Sequence, residues 1–151
     1  NQWPLDFRLA AALDISGQIA SADTGIGTLL SQLMAPLMSG HGVFLTCAIM
    51  VTLGVIITNC INNVVTVSLL TPIAFTYMLA AGGNPVAIVA LICYVCLQGV
   101  VMPAGSVCGA MLHGNTTWLK PGMIYKYATL GELALIVVVI LVGVPVALLM
   151  F

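Results

Sequence analysis

Between Asp23 and Lys120 the chain carries no Asp, Glu, Lys or Arg. No water-facing surface of that length goes without charge, whereas a bilayer excludes charge from its interior. Inside hydrocarbon every backbone N–H and C=O must find its partner within the protein, and helices achieve this segment by segment. The stretch therefore reads as an all-α membrane protein. The whole sequence agrees, being 62% hydrophobic and 5% charged where soluble domains are roughly one-quarter charged. A net charge of -1 with three basic residues leaves no basic stripe for nucleic acid.

Two interruptions divide the apolar stretch. The first is Thr58-Asn59-Cys60-Ile61-Asn62-Asn63-Val64-Val65-Thr66, a knot of amides and hydroxyls between the arms Val43 to Ile57 and Val64 to Ala81. At about 1.5 Å per residue the first arm falls short of the roughly 30 Å hydrocarbon core, so it enters a membrane without crossing it. The second interruption ends the arm Val86 to Met102 with Pro103-Ala104-Gly105-Ser106, after which Val107 to Leu112 resumes the apolar pattern. Pro72 bends the return arm of the first pair, and Gly82-Gly83-Asn84-Pro85 marks a turn.

Paired short arms broken by polar or Gly/Pro residues point to a midplane site in a secondary transporter. A return helix beginning near Val64 presents about half a positive charge to an anion at the Asn cluster. The carbonyls of Thr58 to Ile61 and of Pro103 to Ser106 are oxygen ligands of the kind hard cations such as sodium take. The alternative is a plain turn between two complete spans, with its amides in water. Against it, no charge, Gly or Pro occurs from Val55 to Thr71.

The remaining segments frame this hairpin. Residues 1–42 read as peripheral or interfacial helices, with one apolar face over 26–38 (Leu29, Leu30, Leu33, Met34, Leu37) and His41 in a closing loop. Asp14 is read as a solvated or capping carboxylate ahead of a buried ion or proton site. Residues 43–81 form a re-entrant hairpin, 86–112 a broken helix, 113–126 an interfacial segment carrying Trp118, Lys120, Tyr125 and Lys126, and 127–151 the last transmembrane helix. Glu132 reads as an interfacial residue favouring a helix N-terminus in preference to a proton relay. The five cysteines lie in apolar surroundings, and Cys93 and Cys96 read as packed hydrophobes rather than a redox or metal pair. No Ser-His, Cys-His or HExxH arrangement appears beyond the distant pair Ser106 and His113, so no enzyme activity is expected. The first residues, Asn-Gln-Trp-Pro, read as the start of a fragment whose preceding repeat is missing.

Thr58-Asn59-Cys60-Ile61-Asn62-Asn63-Val64, followed by Val67-Ser68-Leu69-Leu70-Thr71-Pro72-Ile73, resembles the second signature of the divalent anion:sodium symporter family of dicarboxylate and citrate transporters. Thr24-Gly25-Ile26 before the hairpin and the Met102-Pro103 break after it fall in the family's order. The resemblance spans nearly the whole chain and implies the C-terminal inverted repeat of such a transporter, working as a homodimer by an elevator motion. Asn62, Asn63 and Val64 stand where the family has Ser-Asn-Thr, whose side chains contact substrate carboxylate. Thr58, the carbonyl of Ile61, Asn63 and the break Pro103, Ala104, Gly105 and Ser106 stand where one sodium binds. Asn replaces Ser and Val replaces Thr, so one hydroxyl is lost, and Ala104-Gly105-Ser106 replaces the family's Thr-Pro-Pro.

The expected function is secondary active transport of a small di- or tricarboxylate or other oxyanion, with sodium as coupling ion and no cofactor, in a multi-pass cell-membrane protein. Its partners are the anion, the lipid bilayer, the missing N-terminal repeat and a second copy. A cation/proton antiporter or arsenite-type permease on the related scaffold is the alternative; it asks for an essential membrane acid, and the sequence places none of Asp14, Asp23 or Glu132 at the two breaks. A non-transporting membrane subunit, its polar clusters bonding helix to helix, is the third reading.

Overall fold

The computed structural model describes residues 25, 29, 32–36, 40–114 and 117–151. Asp14, Asp23 and much of the helix expected over 26–38 lie outside them. Every regular element among the described residues is helical.

Helix α1 (Val43–Cys60) and helix α2 (Asn63–Ala80) are each 18 residues long, about 27 Å. The first is therefore longer than the arm expected from Val43 to Ile57. The turn between them is compact because Asn62 stops one helix from running on and starts the next. Its Oδ1 accepts from the Val64 N–H at 2.8 Å, an N-cap, and its carbonyl takes the Thr66 N–H at 3.0 Å. Short polar side chains favour this position because they satisfy amides that the first turn leaves unpaired.

Helix α2 runs through Pro72. It ends where Gly82, at φ +80°, takes the left-handed conformation that glycine adopts without penalty. Asn84 then caps helix α3 (Pro85–Cys96), accepting from Val86 N–H at 3.0 Å with Pro85 in the first turn. Helices α1, α2 and α3 pack into one apolar core built on Met50, Val51, Leu70, Met78, Ile88, Ile92 and Val95. Gly54 lets α1 and α3 approach, since a Cβ there would meet Val95 Cγ2 at 3.3 Å. Small residues serve this purpose in membrane helix packing.

Helix α3 stops at Cys96, earlier than the expected arm end at Met102, and residues 97–106 run irregularly to α4 (Val107–Gly114). Ser106 starts α4 by accepting from Gly109 N–H at 3.0 Å. Helix α5 (Pro121–Val138) begins at a proline preset for a first turn and continues through a π turn (Val139–Gly143) into α6 (Val144–Met150). The π turn lies just before Pro145, which has no N–H to give and whose ring crowds the preceding turn. Together α5, the π turn and α6 form one rod of 30 residues.

Among the described residues three helical stretches, α1, α2 and the α5–α6 rod, are long and apolar enough to cross a membrane. The rod's outer face stays exposed, with Leu141 66% and Leu149 87% accessible. Such a face suits hydrocarbon, not water.

Candidate functional site

The tip of the hairpin does not stand alone. It is docked onto the irregular segment between α3 and α4, and both are tied to the middle of α5.

Thr58, in the last turn of α1, is fully buried. Its Oγ1 lies 2.8 Å from the Cys96 carbonyl and 2.8 Å from Asn63 Oδ1. A hydroxyl has one proton and cannot donate to both. The second contact is satisfied either by turning the Asn63 amide so that its NH₂ donates, or by a cation shared between the oxygens.

The break comes up against this cluster through two glycines. A Cβ on Gly99 would lie 3.0 Å from the Thr58 carbonyl oxygen and 3.3 Å from Asn63 Oδ1. One on Gly105 would lie 2.8 Å from the same Thr58 oxygen and 3.2 Å from the Gly99 oxygen. Glycine is what lets backbone meet backbone here.

Asn59 faces the other way and is completely engaged. Its Nδ2 donates to the Val55 carbonyl at 2.8 Å and to Glu132 Oε2 at 2.6 Å, and its Oδ1 accepts from Val101 N–H at 2.9 Å. That backbone donor fixes which end of the amide is which. Glu132 Oε1 in turn accepts from Val100 N–H at 3.1 Å. Asn59 and Glu132 are 7% and 8% exposed, so this is a buried polar network joining three elements, the setting in which hydrogen bonds are strongest. His113, on α4, closes the segment from outside with Nε2 donating to the Val101 carbonyl at 2.9 Å, while its ring sits 4.9 Å from that of Tyr125.

The residues expected at the site divide accordingly. Thr58, Asn63 and Gly105 come together. Ser106 lies at the inner end of the break, its hydroxyl used as the α4 cap. Pro103 and Ala104 are exposed, as is Ile61, whose N–H closes the last turn of α1 onto the Ile57 carbonyl at 2.9 Å. Asn62 is exposed and its Oδ1 is committed to the cap. Asn63 and Val64 line an open crevice of about 280 Å³ with Val67, Ser68, Cys93 and Leu97. That is near the small end of the roughly 300–1,000 Å³ range of ligand pockets.

Two participants, Glu132 and Gly99, were missed from sequence. Glu132 lies in the interior of α5, not at a helix start, and it brings a carboxylate to the break that the sequence reading left without one. Its signal was present, since an ionisable residue inside an apolar span is a functional candidate by default. Gly99 gave no local signal, because its role depends on what lies opposite, and Asn59, which stood in the polar knot and among the expected carbonyl ligands, turns its side chain to Glu132 and Val101. No family model, characterised protein or solved structure matches the chain.

Proposed function

We propose that the chain is the C-terminal repeat of a secondary active transporter, similar to the divalent anion:sodium symporters, that moves a small di- or tricarboxylate or other oxyanion in exchange for the energy of a sodium gradient. The observation that carries the reading is the docking of the hairpin tip, Thr58 to Val64, onto the interrupted helix at 97–106, with Thr58 O, Gly99 O and Asn63 Oδ1 gathered at the contact. The anion sits in the crevice beside Asn63 and Val64, facing the N-terminus of α2. Sodium sits between tip and break.

Depth supports a re-entrant hairpin. The α5–α6 rod of 30 residues is about 45 Å long, the thickness of a bilayer with its headgroups. At one end Asn84 Nδ2 donates to the Phe151 carbonyl at 2.5 Å, which places the hairpin base there. At the other, Asn59 meets the rod at Glu132, about 17 Å along from Pro121. The tip then stops short of the far face, with Lys120 and Lys126 beyond it at the headgroup level. The full assembly is a cell-membrane homodimer in which this unit moves against a fixed scaffold.

The test is uptake of labelled succinate, citrate and sulfate by the full-length protein in proteoliposomes. Sodium-stimulated uptake of one of them, lost in Asn63→Ala while membrane insertion persists, is the expected result. Normal uptake in that variant would sink the site assignment. A second reading, the cation/proton antiporter, is favoured by one observation, the buried Glu132 carboxylate at the break. It predicts no anion uptake and a sodium-driven proton flux that Glu132→Gln removes.

A further inference from the structure

Glu132 is the only acidic residue among the described residues, and binding of an anion gives it no part. Both its oxygens accept hydrogen bonds, and both donors are neutral. We propose that Glu132 is the positioning residue of the cation half of the site, turning the Gly99 carbonyl of the break toward the hairpin tip and supplying the negative charge that makes this oxygen cluster select a cation. The inference rests on the sodium-coupled reading above.

The geometry follows from the peptide plane. No peptide bond among the described residues is cis, and in a trans peptide N–H and C=O point in opposite directions. Val100 N–H is aimed at Glu132 Oε1, so the Gly99 carbonyl is aimed away from it. It emerges beside Gly105, where the Gly99 and Thr58 oxygens lie 3.2 Å and 2.8 Å from the point a Cβ would occupy. Glu132 also acts on the next peptide. Its other oxygen holds Asn59 Nδ2, which leaves Asn59 Oδ1 to take Val101 N–H. Of two successive donors of the break, one is thus taken by α5 and the other by Asn59 of the tip itself. The Gly99 carbonyl is left facing the tip beside the Thr58 oxygen.

Charge adds to direction. A hydrogen bond to an ionised carboxylate polarises the donating peptide and strengthens its carbonyl as a ligand, which is how outer groups tune metal sites. Neither Thr58 nor Asn63 carries charge. Glu132 stands behind the peptide rather than against the ion, so it acts through Gly99 and Asn59.

The experiment measures equilibrium binding of radioactive sodium, and its competition by lithium, on purified full-length protein with no anion present. Glu132→Gln keeps the shape and removes the charge; sodium affinity is expected to fall at least about tenfold, the usual scale for lost outer-sphere support, and the sodium-to-lithium preference to change. Glu132→Asp keeps the charge on an arm too short for Val100 N–H, and is expected to lose less affinity than Gln while also altering the preference. A purely structural role would leave that preference untouched. Wild-type affinity and preference in Glu132→Gln would overturn the proposal. Should that variant not be monodisperse, wild-type binding and preference in Glu132→Asp would overturn it equally. If the wild-type protein binds no sodium at all, the sodium-coupled reading itself fails, an outcome separate from both.

Discussion

At the scale of single residues, the strongest test of the network is Asn59. Interhelical hydrogen bonds in membranes average about 0.6 kcal/mol, because a helix separated from its partners finds others. Asn59 exceeds that figure, since one of its bonds goes to a carboxylate and another to a backbone donor that has no alternative once buried. Asn59→Ala is expected to cost about 2 kcal/mol in mixed-micelle unfolding. Asn59→Asp is expected to cost more, because it turns the donor facing Glu132 Oε2 into a second acceptor carrying the same charge. If Asp is tolerated better than Ala, the Asn59 donor to Glu132 is not what holds the network together.

At the scale of elements, the break depends on how closely bare backbone approaches the tip. Gly105→Ala places a methyl 2.8 Å from the Thr58 carbonyl oxygen and 3.2 Å from the Asn59 Cα, and backbone on both sides leaves no flexible end to yield. The hairpin tip must then lift away from residues 97–106. Uptake by the full-length protein is expected to fall about tenfold or more, the scale of roughly 1 Å misplacements at a site, while surface expression is retained.

How far these elements were legible follows the same logic. The ends of α2 and the start of α3 were readable because Asn62, Gly82, Asn84 and Pro85 act locally, through caps and a left-handed turn. The end of α3 was not. Leu97 to Met102 contains only Gly99 to weaken a helix, and the chain leaves the helical path there because Val100 and Val101 N–H bond to Glu132 and Asn59 instead of to the preceding turn. At the site the anticipated sodium group was Thr58, Ile61, Asn63 and Pro103 to Ser106, of which Thr58, Asn63 and Gly105 meet at the contact, whereas Glu132 was assigned to a helix start because the α5 rod was expected to begin later than Pro121.

At the scale of the whole molecule, the rod is fastened at two points, at Glu132 within α5 to Asn59 of the tip and Val100 of the break, and at its far end by Phe151 to Asn84. Between them Val139, Val144 and Ala147 join the shared core. Hairpin and rod therefore form one unit, so any movement of the hairpin carries the rod's exposed apolar face with it.

The pairing of Asn59 with Glu132 also has a history in time. The two lie 73 residues apart, so at about 5–20 residues per second a ribosome finishes the hairpin roughly 4–15 s before it makes the carboxylate that secures it. During that interval the Asn59 side chain lacks the carboxylate it bonds in the folded chain. A full-length chain truncated after Gly131 is expected to be degraded within minutes in a pulse-chase experiment, while Glu132→Gln is retained longer. Equal lifetimes for the truncated and intact chains would mean that the tip finds its partners before the last helix is born.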